Sequence, residues 1–257
     1  MDPWRRHGER STQMIRTVLV MIWWGVWTVL NGLWGIPYMF ITKHVEPLYR
    51  AAVWGALMGA KMAGAKITIV GLENIQPGQH YIFMSNHVSN MDPPIVIPLI
   101  PGRTSVLVKK ELFRIPLLGT AMKLAQLVPV DRSNREAAVA SIRAASDVMQ
   151  HGLHMAVFPE GTRSSDGKMR PLKKGPFYLV EESGAAVIPV TIAGSYEMWP
   201  KHRFAITPGP VTLTFHPPIT LAQAGGREAL MQAVSTAIAS ALPEDQRGAS
   251  VEAPEPD

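Results

Sequence analysis

His80-Tyr81-Ile82-Phe83-Met84-Ser85-Asn86-His87-Val88-Ser89-Asn90-Met91-Asp92-Pro93-Pro94-Ile95-Val96-Ile97-Pro98-Leu99 reads as three pieces joined end to end. The apolar run His80–Met84 predicts a strand, Ser85–Met91 a polar turn and Pro93–Leu99 a helix. Asp92 ahead of Pro93 makes a good helix start, with an acid at the N-cap and proline at the first helical position. His87 and Asp92 are five positions apart, which on one regular helix would turn them to different faces. A turn must fold between them if imidazole and carboxylate are to meet. The carboxylate then takes one ring nitrogen and the other faces a cleft as a candidate general base. A plainer reading stands beside this one: Asp92 only caps the helix and His87 belongs to a surface turn.

Working outward, short apolar runs alternate with helical stretches from Lys66 onward, the pattern of an α/β domain with a mixed central sheet flanked by helices. The other candidate strands are Ile67–Val70, Ser105–Val108, Leu127–Val130, Met155–Phe158, Val187–Ile192 and Val211–Phe215. The other candidate helices are Leu117–Leu124, Arg135–His151, Phe177–Ser183 and Arg227–Leu242. Pro189 argues against a regular interior ladder for its strand. Three regions follow: membrane-associated helices over 1–65, the α/β domain over 66–242, and a proline-rich acidic tail over 243–257 expected to be disordered.

The chain has 257 residues, enough for one sizeable core with appendages. It contains no cysteine, which excludes disulfides, zinc-thiolate sites and a thiol nucleophile. A net charge of +5 suits anionic partners, lipid phosphates and nucleic acid alike.

Six of the seven tryptophans fall within the first 54 residues, around the apolar stretch Thr17–Thr42. Tryptophan favours the headgroup zone of a bilayer. The stretch is longer than the roughly 20 residues of a spanning helix, but Asn31, Gly32, Gly35 and Pro37 interrupt it. Basic residues flank both ends, so the charges give no direction of crossing. A helix that dips in and returns, or lies in the interface, fits better. His44–Lys66 carries apolar residues at helical spacing, which predicts a second amphipathic helix and hence a two-helix membrane-binding segment ahead of the domain.

Further along, Phe158-Pro159-Glu160-Gly161-Thr162-Arg163-Ser164 follows an apolar strand. Glycine there allows close backbone approach, and Arg163 offers a planar fork for a phosphate. Glu160 could hold that fork or bind a substrate hydroxyl; an ordinary strand-exit turn with an exposed arginine is the plainer reading. Lys173-Lys174-Gly175 opens a helix, where free amides favour anions. Lys109-Lys110-Glu111-Leu112-Phe113-Arg114-Ile115-Pro116 mixes basic and apolar residues as a membrane-facing rim would. Val128-Pro129-Val130-Asp131-Arg132 ends a strand on a charge pair.

Taken in order, Asn86–Asp92, Lys109–Gly119, Val128–Arg132, Phe158–Ser164, Lys173–Gly175 and Val187–Pro189 resemble the glycerolipid acyltransferase family, whose signature is His-x4-Asp. The resemblance covers about Lys66 to Leu221 and shows no departure at the motif positions. It implies a direct transfer in which His87 deprotonates a glycerol hydroxyl that attacks an acyl thioester, with Asp92 holding the imidazole. It further implies that Glu160, Gly161, Thr162 and Arg163 bind the acceptor's glycerol phosphate. Lys109, Lys110 and Arg132 are added as candidates for the phosphate or for polarising the carbonyl. The expected partners are membrane lipids, an acyl-CoA or acyl carrier protein donor and a lysophospholipid acceptor, with no nucleic acid, no metal and no cofactor. The expected location is the cytoplasmic face of the inner membrane.

The resemblance implies lysophosphatidate as the acceptor; glycerol 3-phosphate, another lysophospholipid or a lyso-ornithine lipid are the alternatives. A metal-dependent hydrolase is the rival enzyme class, but His151 and His154 lack a partner motif. A noncatalytic binder of membranes or nucleic acid is the third, and no aromatic-basic RNA motif or recognition helix supports it.

Overall fold

The computed structural model describes residues 3–130 and 135–248. Two helices, α1 (Pro3–Thr42) and α2 (Glu46–Met62), precede a seven-stranded sheet. Its strands are β1 (Ala65–Val70), β2 (Tyr81–Ser85), β3 (Thr104–Lys109), β4 (Val128–Val130), β5 (His154–Val157), β6 (Ala186–Ala193) and β7 (Gly209–Phe215). Between and after them come α3 (Asp92–Leu99), α4 (Leu118–Leu124), α5 (Arg135–Gln150), α6 (Gly175–Ser183), α7 (Ser195–Met198), α8 (Leu221–Ala224) and α9 (Arg227–Ser240). All seven predicted strands form, each within two residues of its predicted ends.

The spatial order is β1-β7-β6-β2-β5-β3-β4. Strands β2 to β6 are mutually parallel, whereas β7 runs antiparallel to β6 and β1 follows β7. The sheet is therefore mixed. Because β2, β3, β5 and β6 point the same way, the loops leaving them meet on one edge, the usual place for a site in an open α/β sheet.

Strand β2 explains its own burial. Successive side chains go to opposite faces. Phe83 packs with Ile95, Val96 and Ile188 on one side, while Ile82 and Met84 pack with Met155, Leu179 and Val234 on the other. A strand covered on both faces reads as a continuous apolar run, as Tyr81–Met84 does.

Pro189 lies in β6, an interior strand, and the irregular ladder expected of it is confined to one side. Its carbonyl accepts from His216 N at 2.9 Å, on the β7 side. A residue's nitrogen and carbonyl leave a strand on the same side, so the missing N–H also faces β7, where regular pairing begins only at Val190. The ladder to β2 loses nothing.

The N-terminal pair departs from its expected shape. Asn31, Gly32, Gly35 and Pro37 do not interrupt α1, which is continuous over 40 residues. These small and polar residues serve as contact points. A Cβ at Gly35 would fall 2.4 Å from Leu48, and one at Gly55 in α2 would fall 1.9 Å from Trp27. Trp23 and Trp27 donate their indole N–H to Gly55 O and Ala51 O at 2.9 and 2.8 Å, and Asn31 Nδ2 donates to Leu48 O at 3.2 Å. The tryptophans thus fasten α1 to α2. The opposite face of α1 exposes Leu19, Ile22, Val26, Leu30 and Leu33, each more than half accessible. So large an apolar face marks a protein or membrane contact, and Arg10–Thr42 is long and apolar enough to cross a bilayer.

At the other end, the expected disordered tail begins with structure. Glu244–Gln246 forms a short helical turn, and Gln246 O accepts from Met169 N at 2.8 Å. The remainder of that tail, 249–257, lies outside the described residues.

Candidate active site

The turn after β2 is sewn in place by its own side chains. Asn86 Nδ2 donates to Ile192 O at 2.9 Å while its Oδ1 accepts from Ile192 N at 2.9 Å, fixing the start of the turn to β6. Asp92 Oδ2 accepts from the backbone N–H groups of Val88 and Ser89 at 2.8 and 2.7 Å. The same oxygen lies 2.8 Å from His87 Nδ1. Asp92 is wholly buried, and the His87 side chain is 16% exposed.

This geometry revises the expectation that Asp92 caps α3. The helix begins at Asp92 itself, the cap position is Met91, and no side chain caps it. Pro93 and Pro94 have no N–H, so this helix start has fewer open donors to satisfy. The carboxylate is free to reach back and close the preceding turn.

An ionised carboxylate only accepts, so Nδ1 carries the shared proton and Nε2 is left as the basic nitrogen. The imidazole stacks on Phe158, with centroids 4.2 Å apart at 23°. Phe158 immediately follows β5, and its ring holds His87 against rotation. Its place at the end of an apolar run, before Pro159, is the only mark the sequence gives of this role.

His87 lines a cavity of about 660 Å³. Its lining includes the polar residues Lys109, Thr162, Arg163 and Lys173 and the apolar residues Ile97, Val106, Leu127, Ile142, Val157 and Leu179. Such a lining offers groups for an anion and for an apolar chain. Gly161, at φ +74, turns the chain along the cavity wall, and a Cβ there would come 3.1 Å from the Lys173 stem. Arg163 Nη1 donates to Asn90 Oδ1, a link between the two motifs that sequence reading did not foresee.

Of the residues expected to bind a phosphate, Gly161, Thr162, Arg163 and Lys109 meet at this cavity. Glu160 does not. It is 1% exposed and turned beneath the histidine, where Oε1 accepts from His87 N at 2.8 Å and Oε2 from Arg170 N at 3.2 Å. Burial pushes its carboxyl up to about 8, against the pull of those two N–H groups. Lys110 begins the exposed 3-10 turn Lys110–Arg114, outside the cavity lining, and Arg132 lies outside the described residues. Lys173, which sequence reading noted only as part of a helix start, lines the cavity. His154 sits at the start of β5, the far end of that strand, with Nδ1 accepting from Tyr81 N at 3.1 Å. Its role there is structural.

Sequence reading also missed Ser195, whose Oγ donates to Asp92 Oδ1 at 2.6 Å. Gly194-Ser195 directly after the apolar run of β6 was the available signal.

Residues 66–193 match the model of the acyltransferase family. The chain is 36% identical over 203 residues to a 1-acyl-sn-glycerol-3-phosphate acyltransferase of Limnanthes alba, covering 79% of this chain and 69% of the relative. It is 37% identical over 132 residues to the enzyme of that name from Borreliella burgdorferi, covering 51% and 52%. Among solved structures it resembles the 1-acyl-sn-glycerophosphate (LPA) acyltransferase PlsC of Thermotoga maritima, with TM-score 0.74, 27% identity, and coverage of 88% of this chain and 94% of that one.

Proposed function

This chain belongs to the 1-acyl-sn-glycerol-3-phosphate acyltransferase family, and on that premise we propose that His87 is the base that starts acyl transfer to lysophosphatidate, with Asp92 holding its ring. The enzyme moves a fatty acyl group from a thioester to the sn-2 hydroxyl, giving phosphatidate. His87 Nε2 takes the hydroxyl proton as the oxygen attacks the thioester carbonyl. The tetrahedral adduct collapses, the C–S bond breaks, and the departing thiolate recovers the proton from His87. Asp92 stabilises the imidazolium formed between those steps. Arg163, Lys109 and Lys173 hold the acceptor's phosphate, and Thr162 adds a hydroxyl. The apolar residues of the cavity lining take the acyl chain. Donors of either kind, acyl-CoA or acyl carrier protein, present the same thioester.

The observation that carries this reading is the 2.8 Å pair of His87 Nδ1 and the buried Asp92, with His87 lining a cavity that both cationic and apolar side chains also line. The apolar face of α1 supports docking on a bilayer, at the cytoplasmic face of the inner membrane where the acyl donors are. Docking spares the enzyme from drawing the substrate chain into water, at about 0.8 kcal/mol per CH₂. The test is a panel of acceptors (lysophosphatidate, glycerol 3-phosphate, other lysolipids) against acyl-CoA and acyl carrier protein donors, run with wild type and His87→Ala. Transfer to lysophosphatidate that disappears in His87→Ala is expected. Undiminished turnover in the variant would refute the base, and transfer only to another acceptor would refute the substrate.

A further inference from the structure

Asp92 is held at both ends, and the second hold comes from a part of the chain more than 100 positions away. Its Oδ2 is occupied by His87 and by the two backbone N–H groups of the turn. Its Oδ1 accepts from Ser195 Oγ at 2.6 Å, a short contact typical of a hydroxyl donating to an ionised oxygen. Both residues have zero exposure, so no water stands ready to replace that donor.

The backbone goes to some length to bring the hydroxyl there. Strand β6 stops at Ala193, and Gly194 turns at φ +87. A Cβ at Gly194 would lie 2.2 Å from Pro210 O, so only glycine fits. Ser195 then opens the four-residue helix α7. The residue that ends this helix, Trp199, accepts from Ser89 Oγ at 2.9 Å and Asn90 N at 3.1 Å through its carbonyl. Gly194–Trp199 therefore grips the histidine turn at two points, one of them the carboxylate.

We propose that Ser195 is a positioning residue for the transfer reaction: by donating to Asp92 Oδ1 it fixes the plane of the carboxylate, so that Oδ2 stays directed at His87 Nδ1 and Nε2 stays directed into the cavity. The proposal rests on His87 being the base. A carboxylate bound through one oxygen alone can swing about its Cβ–Cγ bond, and a donor on the other oxygen stops this. Ser195 touches neither acceptor nor donor, so its loss acts on turnover and leaves substrate binding intact.

Ser195→Ala, Ser195→Cys and Ser195→Thr are compared with wild type and His87→Ala in the lysophosphatidate assay, together with the downfield proton resonance of the His87 Nδ1–H. Ser195→Ala is expected to lower kcat by about 10- to 100-fold, the loss of one hydrogen bond to a charged group, with both KM values unchanged and the resonance shifted or broadened. Ser195→Cys keeps nearly the same volume but donates weakly, and follows Ser195→Ala; it decides the matter if the alanine variant fails to fold. Ser195→Thr keeps the hydroxyl and recovers both kcat and the resonance. Wild-type kcat in the folded alanine or cysteine variant, a loss confined to KM, or no recovery with threonine would overturn the proposal. An inactive His87→Ala beside a fully active Ser195→Ala removes only the role of Ser195, whereas an active His87→Ala removes the base itself.

Discussion

Glu160 Oε1 accepts the backbone N–H of His87 at 2.8 Å, so the acid of the Phe-Pro-Glu-Gly-Thr-Arg-Ser turn supports the histidine's main chain and not the substrate. Its other oxygen accepts from Arg170 N at 3.2 Å. The two motifs form one hydrogen-bonded unit.

Replacing Glu160 should therefore damage kcat and folding more than acceptor binding. Glu160→Ala leaves the His87 and Arg170 N–H groups without their acceptor, and the half-buried His87 N–H, less accessible to water than that of exposed Arg170, carries most of the loss, at about 1–3 kcal/mol. Denaturant titration should show that loss, and steady-state kinetics should show a lower kcat with the lysophosphatidate KM within about two-fold of wild type.

Arg163 should behave oppositely. Arg163→Ala removes a charged fork from the cavity lining, and the acceptor KM should rise about 10- to 100-fold with stability nearly unchanged. Asn90→Ala, which frees the guanidinium from its partner, should give a smaller rise in the same direction. An acceptor lacking the phosphate should be indifferent to both changes.

Two buried groups set opposing trends of stability with pH. Burial raises Glu160 from 4.5 to about 8, so its native form retains a proton that the unfolded chain releases, and stability falls as pH rises from 4.5 to 8. Burial, with a smaller push from His80, lowers His154 from 6.5 to about 4, so its contribution is complete above 6.5 and lost as pH falls toward 4. The slopes oppose each other between 4.5 and 6.5. Above 6.5 the Glu160 slope stands alone, about 1.4 kcal/mol per pH unit at most. Denaturation from pH 5 to 8.5 should show Glu160→Gln flatter than wild type above 6.5.

Vesicle binding should depend on the outward face of α1. Leu19, Ile22, Val26 and Leu30 are exposed and share that face, so changing them together to Asn should release the protein from vesicles while leaving its melting temperature nearly unchanged. Each buried side chain contributes about 1.5–3 kcal/mol to such docking. Gly55→Leu should do something different, forcing Trp27 from its place and lowering thermal stability.

The strands were legible because burial on both faces writes itself as runs such as Tyr81–Met84, and the histidine pair because the motifs around it resemble the acyltransferase family, its own spacing being compatible with a contact only through a turn. Glu160 was misread for a physical reason: in sequence an acid beside an arginine suggests a shared ligand, and nothing local indicates that one side chain turns inward. Ser195 was out of reach because its partner follows the neighbouring strand β2, a pairing fixed only by the sheet order β6-β2. Gly32 and Gly35 read as interruptions since their low helix propensity is local, whereas the close approach they permit belongs to Leu117 and Leu48.

Asn86 hydrogen-bonds the main chain of Ile192 in both directions, as a neighbouring strand would. The amides of Ile192, Val88 and Ser89 are therefore expected to exchange with solvent together, the histidine turn opening only when β6 opens. Protease resistance of the turn and protection of the central sheet then become a single measurable quantity.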